Sequence, residues 1–248
     1  LGMILAPDRS KLSKRHGATA VSQFVDDGYL PEALVNFLAL LGWSSPDNRE
    51  ILAMEELIGL FALERVAHGG AVFDRDKLDW MNGHYIRHMP TAELLERSMP
   101  YLGSFNLAHY DQAKLETMLD AVKEPLTKLG ELPDGVRYFF GEGVEVDAEV
   151  FRDVLQAPES RQVLEAFQRD FLPGADFASP ETVQAAVKNF ANAQKPLKTK
   201  AVMWAVRAAT TGRVHGADLS VSLYLIGKER VAKRVEDALA RLKAGSVG

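Results

Sequence analysis

The sequence predicts a mainly α-helical protein. Two observations carry this: apolar residues recur at i, i+3, i+4 and i+7 in almost every periodic segment, and no stretch alternates apolar with polar over five or more residues. A third is punctuation, because proline and glycine clusters such as His88-Met89-Pro90, Phe140-Gly141-Glu142-Gly143 and Leu172-Pro173-Gly174 separate those segments.

Taken in order, Leu1–Leu5 and Ala71–Phe73 are the two places where a short strand pair fits, so any sheet is small. Leu34, Phe37, Leu38 and Leu41 form the first helical stripe, with Pro31 suited to its first turn and Gly42 to its C-terminal cap. Met54–Phe61 and Arg75–Met89 follow, the second opened by Asp74 or Asp76 as a cap. Further helices are expected near 91–103, 111–128, 147–156, 159–171, 180–194 and 198–210. The last, 228–244, puts Val231, Val235, Leu239 and Leu242 on one side, with Lys233, Arg234, Arg241 and Lys243 elsewhere around it. The helices fall into three blocks in series, 1–89, 90–141 and 142–248.

With 248 residues the chain is long enough for more than one domain and a substantial core. It has no cysteine, which removes a disulfide framework, a thiolate nucleophile and a thiolate metal site, and which fits a reducing cytoplasm. No run of about 18 apolar residues is present, so no membrane span is expected. The formal charge of −5 argues weakly against a polyanionic partner, but its distribution argues the other way. Residues 195–248 hold 11 Lys+Arg against 4 Asp+Glu, a net of +7, which leaves −12 on the other 194 residues. A basic part on an acidic chain suits docking of one face on a polyanion.

The chemistry-bearing motif is Lys11-Leu12-Ser13-Lys14-Arg15, preceded by Asp8-Arg9-Ser10 and followed by His16-Gly17. On its own a basic five-residue stretch is an ordinary solvated loop. Two lysines three apart around a hydroxyl, backed by an arginine, also suit a polyphosphate whose charge grows as it reacts. No glycine-rich strand–turn–helix and no His-x-Gly-His accompany it, so a catalytic nucleotide-binding fold is absent from this chain, which reads as the latter half of something larger. His84 and His88 have the i, i+4 spacing of a metal pair, but Tyr85 stands where a metalloprotease has glutamate and no third ligand is evident, so no metal is expected. Trp43, Trp80 and Tyr138-Phe139-Phe140 read as helix-packing anchors rather than base-stacking platforms.

Residues 2–17 closely resemble the KMSKS signature loop of class I aminoacyl-tRNA synthetases in its bacterial glutamyl form, with Arg15 in place of the final serine. The resemblance continues through Asp27–Trp43, Phe73–Arg87 and Gly227-Lys228-Glu229-Arg230. It implies a small mixed stem-contact module followed by an all-α, two-part anticodon-binding region. It also implies the activity: glutamate is activated with ATP, accompanied by Mg2+, and transferred to tRNA(Glu), with tRNA(Gln) as an alternative acceptor. By resemblance Lys14 contacts the ATP phosphates, Lys11 is a second cation and Ser13 a hydroxyl donor, which makes Lys11, Ser13 and Lys14 the catalytic candidates. Arg207-Ala208-Ala209-Thr210-Thr211-Gly212 is similar to the Arg-x-Ala-x-Thr-Gly element of the anticodon-binding domain, and the resemblance implies that Trp204, Arg207 and Leu219 meet the anticodon. Thr210, His215-Gly216-Ala217-Asp218 and Glu124-Pro125-Leu126 depart from the family's pattern.

The expectation is therefore the C-terminal, tRNA-holding portion of a glutamate–tRNA ligase, inactive in aminoacylation by itself; the start at Leu1 rather than Met favours a fragment. A free-standing synthetase-derived tRNA-binding module and a helical scaffold for protein partners are the alternatives. A glutaminyl enzyme shares the loop, but the β-barrel pattern its anticodon region requires does not appear.

Overall fold

The structure, a computed structural model, describes residues 2–13, 15 and 20–245. It is mainly α and splits into two compact units, residues 1–104 with 123–133, and residues 105–122 with 134–248. The expected block 90–141 is thereby shared: 90–104 and 123–133 lie in the first unit, 105–122 and 134–141 in the second.

The first unit opens with β1 (Ile4–Leu5) and continues through α1 (Val21–Asp27), α2 (Pro31–Leu40), α3 (Met54–Leu60), β2 (Ala71–Val72), α4 (Arg75–His88) and α5 (Thr91–Leu102). β1 and β2 are parallel, Ile4 opposite Ala71 and Leu5 opposite Val72. Pro31 occupies the first turn of α2 as expected, since its missing N–H is one a helix start leaves unbonded. The helix ends on Leu41 in ordinary helical conformation instead of on Gly42, and Leu38 of the expected stripe is exposed. Asp74 caps α4 by accepting from Lys77 N at 3.1 Å. Phe24, Tyr29, Leu34, Phe37, Phe73, Leu78 and Met81 pack into one core, with Leu12 against it. Trp43 is 4% exposed, an anchor as expected, and packs with Leu52 and Leu57. Trp80 is not an anchor: at 48% exposed it lies on the open side of α4, because Leu78 and Met81 take the buried positions around it.

Residues 123–133 are laced to this unit by backbone proximity. Leu129 N donates to Gly28 O at 3.0 Å, and Asn82 joins Leu30 N (2.8 Å) to Thr127 O (2.6 Å). Gly28 closes α1 at φ 91°, and a Cβ there would lie 2.3 Å from Gly130 N, so both its dihedral and its surroundings require glycine.

The second unit contains α6 (Gln112–Val122), most of α7 (Leu132–Phe140), α8 (Ala148–Val150), α9 (Ser160–Ala166), α10 (Pro180–Ala193), α11 (Thr199–Thr211), α12 (Leu219–Ile226) and α13 (Lys228–Ala244). α8 and α9 each run on into a wider helical turn, Phe151–Leu155 and Phe167–Phe171, whose Phe151, Phe167 and Phe171 rings are buried. Ser179 starts α10 by accepting from Thr182 N. The sequence reading did not anticipate α1, α7 or α12. α13 carries Val231, Val235 and Leu239 on its buried face as expected, but Arg234 joins them at 1% exposed.

Candidate functional site

The signature segment turns tightly on itself in the first unit. Ala6 is fully buried, and its N–H donates to Ser10 O at 2.8 Å while its carbonyl accepts from Arg9 N at 2.8 Å. Arg9 takes a left-handed φ of 63°, and Asp8 Oδ1 accepts from Ser10 N at 2.9 Å. Leu5 then bridges Lys11 in antiparallel fashion, and Leu12 N donates to Ile4 O at 3.1 Å. The turn is moored on both sides: Phe73 N donates to Leu5 O at 2.8 Å, and Leu12 packs on the aromatic core. Leu12 inward leaves Lys11 outward, because neighbours in extended chain face opposite ways. Lys11 and Arg15 are exposed, and Ser13 is half-buried. Lys14 lies outside the described residues.

The second candidate element belongs to the other unit. α11 ends at Gly212, which sits at φ 74° with a Cβ position only 2.0 Å from Glu145 O, so the chain must turn there. Arg207 does not project freely from this helix. Its Nη1 donates to Ala217 O at 2.6 Å, and burial pulls the guanidinium below its ordinary range. Trp204, one turn earlier, is half-buried with Lys200 Nζ 4.2 Å from its ring centre. Leu219 is 2% exposed in the first turn of α12, behind Asp218, which caps that helix by accepting from Ser220 N and Val221 N. Trp204 and Arg207 share one helix surface, while Leu219 is a core residue at the foot of the same turn.

Two neighbours of this turn escaped the sequence reading. Tyr138 of α7 is buried, and burial pushes its pKa up. Arg213 lies over the Tyr138 ring at 5.7 Å and donates from Nη2 to Asp134 O at 3.1 Å. The only sequence signal for Tyr138 was its place in an aromatic run; Arg213 had none beyond its charge.

The C-terminal excess of positive charge is partly spent indoors. Arg234 donates to Thr210 O (2.6 Å), Glu142 O (3.3 Å) and Gly141 O. Arg230 donates to Phe139 O at 2.7 Å and Tyr110 Oη at 2.8 Å, and Arg241 covers the Phe151 ring at 4.9 Å. Lys195, Lys198, Lys200, Arg213, Lys228, Lys233 and Lys243 remain exposed. In the first unit His84 and His88 stack at 3.9 Å, with His88 Nδ1–H donating to His84 O at 2.8 Å. No group of three or more His, Asp or Glu side chains able to hold a metal occurs among the described residues, and no helix there is long and apolar enough to cross a membrane.

Comparison with known families assigns most of the second unit directly. A model of the anticodon binding domain matches residues 93–239. The chain belongs to that family. A model of the catalytic domain of class I tRNA synthetases (E and Q) matches residues 1–80. Relatives named glutamate–tRNA ligase are similar throughout. Those of Natranaerobius thermophilus and Aquifex aeolicus are each 39% identical over 98% of this chain and 51% of their own length. A glutamate–tRNA ligase structure from Elizabethkingia meningosepticum, in complex with its amino acid, superposes with a TM-score of 0.86 at 28% identity, over 98% of this chain and 51% of that one. The chain thus spans about half the length of the curated relatives it matches.

Proposed function

We propose that this chain is the C-terminal half of a glutamate–tRNA ligase, carrying the signature loop and the surface that holds tRNA. The observation behind this reading is the order of the two matches on one chain: part of a class I catalytic domain at 1–80, then an anticodon binding domain at 93–239. The division proposed is 1–89 for the loop and stem-contact module, with 90–141 and 142–248 as the two parts of the anticodon-binding region. The protein acts in the cytoplasm.

In the whole ligase a glutamate carboxylate oxygen attacks the α-phosphorus of ATP, the bond to the bridging oxygen breaks, and pyrophosphate leaves with the extra negative charge. Lys11 and Lys14 neutralise that charge and Ser13 donates a hydrogen bond to it, so their effect is greatest at the transition state. Mg2+ arrives with ATP as part of the substrate. The moored turn supports this role: Leu12 in the core and Leu5 on β2 fix the start of the loop, so Lys11 emerges at a defined point. Trp204, Arg207 and Leu219 form or support the anticodon contact, with tRNA(Glu) as partner and tRNA(Gln) as a further acceptor.

Replacing Lys14 by alanine in the full-length ligase is expected to slow ATP–pyrophosphate exchange by roughly 10²-fold while leaving tRNA affinity nearly unchanged, with Lys11→Ala acting in the same direction. An unaltered exchange rate in both variants refutes the assignment of the loop.

A further inference from the structure

Five arginines of the second unit are exposed: Arg137, Arg152, Arg161, Arg169 and Arg213. Four of them are neutralised by a carboxylate close in sequence. Arg137 pairs with Asp134 at 3.1 Å, Arg152 with Asp153 at 2.6 Å, Arg161 with Glu165 at 2.9 Å and Arg169 with Asp170 at 2.7 Å. Arg213 has no carboxylate partner among the described residues. Asp134, the acidic residue beside it, gives its carboxylate to Arg137 and only its main-chain carbonyl to Arg213.

Arg213 is nonetheless held in position. Its backbone is fixed from below by Gly212, where only glycine fits against Glu145 O, and by Thr211 Oγ1, which accepts from Arg213 N at 3.4 Å. Its guanidinium is braced by Asp134 O through Nη2 and backed by the buried ring of Tyr138. An arginine fixed this way has already lost part of the rotamer freedom that binding would otherwise cost. Arg207 is the contrasting case: half-buried and bonded to Ala217 O, it shapes the turn that carries Arg213 past Gly212.

We propose that Arg213 is the specificity-determining residue of this element, stacking and hydrogen-bonding one unpaired anticodon base, while Arg207 positions the turn. This rests on the tRNA-binding reading given above. A planar cation with an aromatic ring behind it offers its other face to a base, and the Nε and Nη1 edge supplies donors for that base's acceptors. A phosphate would need only the charge.

The test uses the 248-residue chain, a tRNA(Glu) transcript, and transcripts with one anticodon base changed at a time, with affinity followed by fluorescence anisotropy. Arg213→Ala is expected to weaken binding of the unaltered transcript by roughly 10- to 100-fold and to erase the penalty for substitution at one anticodon position only. Arg213→Lys should keep the salt dependence and still lose that discrimination. A uniform loss across all transcripts, with the salt slope reduced by about one, identifies a phosphate contact and overturns the proposal. Unchanged discrimination in Arg213→Ala overturns it as well. Failure of the unsubstituted chain to bind any transcript refutes the tRNA-binding reading and the proposal with it.

Discussion

Replacing Arg234 by methionine keeps most of the side-chain volume and removes every donor. In the native protein this guanidinium reaches three main-chain oxygens: Thr210 at the end of α11, and Gly141 and Glu142 after α7. Burial, followed by the nearby charge of Arg230, lowers its pKa to about 10, which still leaves it ionised at neutral pH. The Glu142 contact is long at 3.3 Å and counts for little. Losing the Thr210 contact leaves a buried carbonyl unsatisfied, at about 1–3 kcal/mol, whereas the carbonyl of exposed Gly141 can turn to water and contributes less. Burying a thioether in place of a charge offsets part of this, because a buried cation carries a desolvation cost of its own. The net expectation is about 2 kcal/mol of lost stability in the second unit, or roughly 7 °C in its melting temperature. Arg234→Lys keeps the charge and reaches one oxygen, so it should recover about half. Denaturant unfolding of the 248-residue chain, followed by circular dichroism, measures both variants. A loss below about 1 kcal/mol for methionine, or a lysine variant no better than methionine, refutes the claim that these hydrogen bonds, and not packing, hold α7 and α11 to α13.

Other outcomes follow from the same geometry. Gly28→Ala should destabilise the first unit by about 3 kcal/mol or more, since its Cβ would meet Gly130 N at 2.3 Å and φ is 91°; an unchanged denaturation midpoint contradicts the close approach. Glu32 accepts from Arg97 at 2.8 and 3.1 Å, and this hydrogen bonding holds its carboxyl below the usual glutamate range. Its contribution, about 1 kcal/mol for a half-exposed pair, should be complete above its unfolded pKa near 4.5 and disappear as pH falls through the lower folded value. Comparing the pH dependence of unfolding for the native chain and Glu32→Gln between pH 6 and 2 checks the sign: the native chain must lose the extra stability on acidification.

Helices with one wet face were legible, because burial follows a 3.6-residue period that composition records. In α10, Val183, Val187, Phe190 and Ala191 are all buried, and Ser179 and Pro180 announce the start. α12 was not legible for the opposite reason. Leu219, Ser220, Ser222, Leu223, Leu225 and Ile226 are buried nearly all round, so no polar stripe marks a period and eight residues are too few to separate helix from buried strand. α7 was obscured by Pro133 and Gly135 in its first turn. The return of residues 123–133 to the first unit depends on Gly28 and Asn82, which meet it from far along the chain, and contiguous sequence carries no mark of that.

The candidate sites divide in the same way. The candidate loop is marked in the sequence by local features, two lysines and a serine within four residues, and Leu12 between them packs on the core. The basic character of the C-terminal part shows in the sequence only as a charge sum, and a sum treats every arginine alike. Arg230 and Arg234 lie on successive turns of α13 and count in that sum like any other cation, yet both serve carbonyls about ninety residues earlier, and Arg234 also serves Thr210, 24 residues earlier. Arg207 and Arg213 likewise enter the charge sum as equals. What separates them is the Ala217 carbonyl that engages one and the Tyr138 ring that braces the other in the open. The same folding that removes Arg207, Arg230 and Arg234 from the pool of available cations builds the rigid turn on which Arg213 stands. A charge count therefore overstates how many side chains are available to a polyanion and understates how firmly one of them is aimed.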